Sequence, residues 1–258
     1  MSKLIATHNK SMHADEITAV ALLKIFTNEK IIVNRVDHNT KDFSIYDMVI
    51  DISKKFDGVK YFDHHQYKGG KSSAGLIWDY LGLEKKYPKI SKFVDAIDKH
   101  DVGIKRAGEF EFSSLIKAFN SKNLNSKEQD EQFNKAVDFT ITVIQSMKRM
   151  QEELIKAKDI VKNSFFFDSN AFIIELKSFT PHWTTYINGN KMPNIKAVVW
   201  EDKEENNWKV KVPSKRLGSF ELNGKALDQD SSMEFVHSSG HFAIAKSEEQ
   251  MIKFLKDI

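Results

Sequence analysis

The stretch Lys3-Leu4-Ile5-Ala6-Thr7-His8-Asn9-Lys10-Ser11-Met12-His13-Ala14-Asp15-Glu16-Ile17 decides how this chain is read. It begins as a short apolar strand, Lys3–Thr7, and turns polar at His8. Ile17, Val20, Ala21 and Ile25 then recur at the spacing of one helix face, so Ala14–Phe26 is predicted to be helical. Ile31–Val36 is β-branched and reads as a strand. Met48–Ile50 is an apolar run ending at Asp51, and Val59–Phe62 is another ending at Asp63. Ser72 or Ser73 caps a predicted helix reaching Leu81, and Pro88 starts one reaching about Asp98. Strands alternating with helices at this spacing predict an α/β unit with a mostly parallel sheet.

From Ser126 to about Asn163 the pattern changes. Phe133, Val137, Ile141, Ile144, Met147, Leu154 and Val161 recur at three, four or seven residues without an intervening glycine or proline. The stretch reads as one long amphipathic helix, or two end to end, either linking two domains or packing on its own. Beyond it, Ala171–Leu176, Ile195–Trp200, Trp208–Val212 and Met233–Val236 read as strands, and a helix from Ser247 closes the chain. The expected organisation is a parallel-sheet α/β domain over residues 1–125, a linker helix over 126–163 and a smaller α+β domain over 164–258.

The 258 residues include no cysteine, which removes disulfides, thiolate metal sites and cysteine nucleophiles together. Any metal must be held by His, Asp and Glu, a donor set suited to harder ions. A net charge of +3, from 39 basic and 36 acidic residues, is weak support for a polyanionic partner. No apolar run is long enough to cross a bilayer, and MSKLIATHNK lacks the apolar core of a signal peptide, so a cytoplasmic protein is expected.

Three clusters carry the chemistry: His8 with His13, Asp15 and Glu16; Asp51; and Asp63-His64-His65. Each follows an apolar strand, and in a parallel sheet the carboxyl ends of the strands share one edge. Singly, each has a plainer reading: Asp15 as a helix cap, Asp51 as a turn residue. Burying Asp-His-His after an apolar strand is costly without partners. Together, the clusters point to a site for Mn²⁺ or Mg²⁺, in which a shared carboxylate bridges two ions that activate a water.

These residues resemble a known family. Asp63-His64-His65 looks like the signature of the DHH phosphoesterase superfamily. Thr7-His8 with His13-Ala14-Asp15-Glu16, Tyr61–Gln66, Ser72-Ser73-Ala74-Gly75-Leu76 and Phe93–Asp98 resemble the motifs of its melanocyte-proliferating-gene-one branch. Members of that branch are described as metal-dependent exonucleases acting on RNA. His182-Trp183, Ser219-Phe220-Glu221 and Phe235–Gly240 match shorter pieces of the family's second half.

By this resemblance, His8, His13 and Asp51 would hold one ion, and Asp15, Asp51, His64 and Asp98 the other, with Asp101 competing for the role of Asp98. Asp63 would orient a histidine, and His65 would face the substrate phosphate as donor or general acid. His237 and the Ser238-Ser239-Gly240 turn resemble a loop that grips substrate, with Lys215 and Arg216 as further phosphate contacts. The family usually has glycines after the bridging aspartate, whereas Ile52, Ser53 and Lys54 follow here, which puts the local loop shape in question.

The expected activity is metal-dependent phosphodiester hydrolysis on RNA or short oligonucleotides; Trp183, Tyr186, Trp200 and Trp208 are candidate base-stacking rings, although such rings in a small domain more often pack in or against the core. A small-molecule phosphoesterase or pyrophosphatase, or a silent nucleotide-binding module, is the alternative. No membrane partner is expected, and a homodimer is left open.

Overall fold

The structure is a computed structural model that describes residues 2–66, 69–189, 192, 194–213, 233–238 and 240–256. Two compact units divide the chain, Met1–Arg149 and Met150–Ile258. Among the described residues, no helix is long and apolar enough to cross a membrane.

The first unit is built on four strands, β1 (Ser2–His8), β2 (Lys30–Val36), β3 (Met48–Ile50) and β4 (Tyr61–Phe62). They lie in the order β2-β1-β3-β4, every neighbouring pair parallel, so all four carboxyl ends share one edge. The apolar runs read from the sequence account for the inner strands β1 and β3, largely buried as strands of a covered parallel sheet are, while the edge strand β2 keeps Ile32 exposed. β4 is shorter than its apolar run. Asp57 Oδ1 accepts the N–H groups of Val59, Lys60 and Tyr61, which folds the run's start into a turn and leaves Val59 exposed.

Helices α1 (Ala14–Phe26), α2 (Ser73–Leu81), α3 (Pro88–Asp101) and α4 (Phe112–Lys117) complete the unit with the first part of α5 (Lys127–Lys162). The α1 face carries Ile17, Val20, Ala21 and Leu22 into one core with Ile5, Met48, Ile50, Phe62, Ile77 and Ile97. Phe133, Val137 and Ile144 of α5 join the same core. The second amphipathic stretch is therefore a single 36-residue helix.

A close approach fixes α2 on α3. Gly75 lies so near Asp98 that an added Cβ would sit 2.2 Å from Asp98 Oδ2. Asp98 Oδ1 accepts the Ser72 N–H at 3.0 Å, the Ser72 hydroxyl at 2.6 Å and the Gly75 N–H at 3.1 Å. A buried carboxylate thus takes up free donors at the start of α2.

The second unit holds a six-stranded sheet of β5 (Phe165–Phe166), β6 (Ile173–Glu175), β7 (Ala197–Asp202), β8 (Asn207–Lys211), β9 (Met233–Val236) and β10 (Phe242–Ala245). Their order is β5-β6-β7-β8-β10-β9, with only the β6–β7 pair parallel. Helices α6 (Trp183–Gly189) and α7 (Glu248–Leu255) accompany it, and Ser247 caps α7 by accepting the Gln250 N–H. The molecule is α/β with a parallel sheet followed by a second, mainly antiparallel one. Of the candidate stacking rings, Trp183 and Trp200 are buried in a core with Ile174, Ile187 and Val198, the packing role weighed against stacking, while Tyr186 and Trp208 are partly buried against core clusters. Rings that fill a core are not free to stack on bases.

Candidate metal centre

His8 ends β1, Asp51 follows β3, and Asp63, His64 and His65 follow β4, so the parallel register delivers all of them to one edge. The turn after β1 leads into α1, whose first residues set Asp15 and Glu16 beneath the same edge, both wholly buried.

His8 donates through Nδ1 to the Asn9 carbonyl at 2.9 Å, which aims Nε2 at Asp51 Oδ2, 3.3 Å away, and Glu16 Oε1, 3.5 Å away. A backbone carbonyl that fixes one ring nitrogen is the usual support of a metal-ligating histidine. His64 Nε2 lies 3.0 Å from Asp101 Oδ2, 3.5 Å from Asp51 Oδ1 and 3.9 Å from Asp15 Oδ2. Asp51 stands between the two imidazoles, anchored by a hydrogen bond from the Ser73 hydroxyl at 3.0 Å. Its backbone is left-handed, with φ 57°, a conformation a non-glycine residue holds only where its surroundings enforce it.

Ligand atoms fall into three overlapping groups, each within 4.8 Å: His8, His13, Glu16 and Asp51; Asp51, His64 and His65; His13, Asp15 and Asp101. The decisive observation is Asp15. It is 0% exposed, and neither carboxylate oxygen has a hydrogen-bond partner; Glu16 Oε2 is likewise without one. A carboxylate buried this way is costly unless something positive meets it. Burial raises the pKa of Asp15 well above the carboxylate range, and the charges of Asp51, Asp101 and Glu16 add to the effect. Burial alone would lower His8 and His64, but hydrogen bonds and charges from the carboxylates, Asp51 for His8 and Asp101 with Asp51 for His64, raise them to about 9 and about 10. Carboxylates gathered without partners in a buried site suit divalent cations. The donor set fits such ions.

Asp63 has no oxygen to spare. Oδ1 accepts the His65 N–H and lies 2.9 Å from His65 Nδ1, while Oδ2 accepts the Lys54 N–H at 2.7 Å. The loop after Asp51 does without the family's glycines by placing Lys54 at φ 53°, which turns that N–H toward Asp63. His65 is about half exposed at its side chain, and its hydrogen bond to Asp63 raises its pKa.

Not every residue singled out in the sequence meets the cluster. Asp98 accepts from Ser72 and Gly75 of α2 through Oδ1, whereas Asp101, one turn on, reaches His64. Glu16 joins His8, and His38 stacks on His8 with ring centroids 5.1 Å apart. Glu16 is named in the first cluster from sequence without a ligand role of its own, and His38 is not singled out there. In the second unit, His237 and Gly240 close the β9–β10 turn, with Gly240 N donating to the His237 carbonyl at 2.7 Å and Gly240 at φ 65°. Ser238 is exposed on the same turn. Lys215, Arg216, Ser239 and the Ser219-Phe220-Glu221 motif lie outside the described residues.

Residues 4–257 match the model of an uncharacterised protein family (UPF0160) that carries the MYG1 exonuclease name. The chain belongs to the MYG1 exonuclease family. Among MYG1 relatives, the MYG1 protein of Saccharomyces cerevisiae is 28% identical over 328 residues, covering 99% of this chain and 95% of that protein. The MYG1 protein of Schizosaccharomyces pombe is 30% identical over 69% of this chain and 68% of its own length. The MYG1 exonuclease of Rattus norvegicus is 24% identical over 92% of this chain and 79% of its own. As a member of a MYG1 exonuclease family, this chain is a hydrolase. A solved pGpG-specific phosphodiesterase from Vibrio aligns over 82% of the chain at 12% identity and a TM-score of 0.37, a likeness too slight to argue from.

Proposed function

We propose that this chain is a DHH-type, metal-dependent phosphodiesterase that acts as an exonuclease on RNA or short oligonucleotides. The observation that carries the reading is the buried, unpartnered Asp15 carboxylate among Asp51, Asp101 and His64. His8, His13 and Asp51, helped by Glu16, would hold one Mn²⁺ or Mg²⁺. Asp15, Asp51, His64 and Asp101 would hold a second, with Asp51 shared, while Asp98 braces α2. The chemistry that two such ions supply when bound is to acidify water and offset the charge growing on phosphoryl oxygens.

The chain's own contribution is position and protons. Asp63 holds His65 at Nδ1 and raises its pKa, which leaves Nε2, without a partner among the described residues, to act as a donor toward a phosphate or a departing oxygen. Lys10 and Lys54 flank the same opening with His38. The second unit, with His237 and its turn, would hold the rest of the substrate. Membership of a family whose rat relative is named an exonuclease supports a polynucleotide end as substrate.

A panel of end-labelled RNA, DNA, dinucleotides and pyrophosphate, with Mn²⁺, Mg²⁺ or chelator, tests the proposal. Release of mononucleotides that chelation abolishes is the expected result. Turnover that survives chelation, or cleavage of pyrophosphate alone, would overturn it.

A further inference from the structure

Beside the metal cluster lies a cavity of about 570 Å³ that the proposed chemistry does not use. His13 and Asp101, both in the cluster, line it. Lys105, Arg106, Lys117 and His100 line it as well. The volume is within the range of small-ligand sites.

The charges are not spent on each other. Lys105 pairs with Glu111 at 2.8 Å, and Glu111 also approaches His100 Nε2 at 2.9 Å. No side-chain partner is present for Arg106 or Lys117 among the described residues. Glu111 pairs with Lys105, whereas Arg106 and Lys117, both exposed, line the hollow without a side-chain partner among the described residues. Ala14, the first residue of α1, also lines the hollow. Guanidinium and ammonium groups lining one hollow are a receptor for a phosphate.

We infer that this cavity is a second phosphate subsite, which takes the phosphate next to the scissile one. The inference rests on the proposed phosphodiesterase reading, since it is the adjoining cluster that places the scissile group. A substrate seated there has one phosphate at His13 and Asp101 and its neighbour against Arg106 and Lys117. The cavity then measures the distance between consecutive phosphates, which makes a polynucleotide or a terminally phosphorylated dinucleotide a better ligand than a lone phosphodiester.

The test is binding to the full chain freed of metal by chelator, so that an inert enzyme and an empty cavity are distinguishable. Calorimetry compares a dinucleotide without terminal phosphate against the same dinucleotide phosphorylated at the 5′ or the 3′ end. The wild type should bind one phosphorylated form roughly tenfold or more tightly, the worth of one charge-assisted hydrogen bond. Arg106→Ala with Lys117→Ala should abolish that gain. The pair Lys85→Ala with Lys92→Ala, exposed lysines outside the cavity, should keep it at the same change in net charge. No gain in the wild type, or an equal gain in the Arg106 and Lys117 variant, would overturn the inference.

Discussion

Gly75→Ala puts a methyl group where the Asp98 carboxylate now sits, 2.2 Å from Oδ2, 2.7 Å from Oδ1 and 2.8 Å from Cγ. One of them must move, and both stand on packed helices. If Asp98 swings away, it surrenders at least one of the three hydrogen bonds that Ser72 and Gly75 donate to Oδ1. Losing one bond to a charged acceptor costs about 1.5–3 kcal/mol. Strain in a packed core adds about 1–3 kcal/mol. Alanine returns about 1 kcal/mol of helix propensity over glycine. The net destabilisation is about 2–5 kcal/mol, a fall in Tm of roughly 5–15 °C for a unit of this size. Chemical unfolding measures it directly. The same substitution made on Asp98→Ala, where the space is free, should cost nothing further or stabilise slightly, so the two changes are strongly non-additive. A neutral Gly75→Ala, or an equal cost in both backgrounds, would refute the close-approach argument.

Three further predictions concern the cluster. Asp101→Asn should weaken Mn²⁺ binding about tenfold or more, whereas Asp98→Asn should lower stability and leave affinity nearly unchanged; calorimetry and melting separate the two, and the reverse pattern would return the ligand role to Asp98. His65→Ala should retain bound Mn²⁺ yet lose about 10²–10⁴-fold in kcat, and a fall in KM-dependent terms alone would leave His65 a binding residue. The metal-free protein should lose stability between pH 6.5 and 8.5. His8 and His64, raised to about 9 and about 10, contribute stability that is full below their unfolded value near 6.5 and fades as pH climbs toward those values. Asp15, whose folded pKa is raised, loses stability in the same direction. Added Mn²⁺ should therefore raise Tm more at pH 8.5 than at pH 6.5, because ions and protons compete for one set of atoms. A chelated protein whose Tm rises with pH would contradict this.

The strands and the site edge were legible because parallel strands must be apolar and must end together. Asp51 and Asp63 stand directly after such runs, and His8 ends another, so their convergence needs only the sheet. Asp98 and Asp101 could not be separated by the same reasoning. Both lie on α3 three residues apart, and only the arrival of Ser72 and Gly75 from α2 shows which carboxylate is occupied. Glu16, named in the first cluster, has a ligand role masked by a second one: its Oε1 accepts the His13 N–H as a helix-start residue does and lies 3.5 Å from His8 Nε2, while Oε2 is left unpaired. The tryptophans stayed ambiguous in the sequence because a large ring reads the same in a core as on a binding face. Short elements such as α4, α6 and β10 carry too few periods to stand out, and tertiary packing sets them.

The central claim is that Asp51 joins two groups of ligands into one cage. The most direct measurement is the number of Mn²⁺ ions bound per chain, by calorimetry with elemental analysis, for the wild type and for Asp51→Asn. The account predicts two ions in the wild type, and at most one, weakly held, in a variant that folds as before. A wild type that takes up no manganese, or an Asp51→Asn chain that still binds two ions at wild-type affinity, would contradict it.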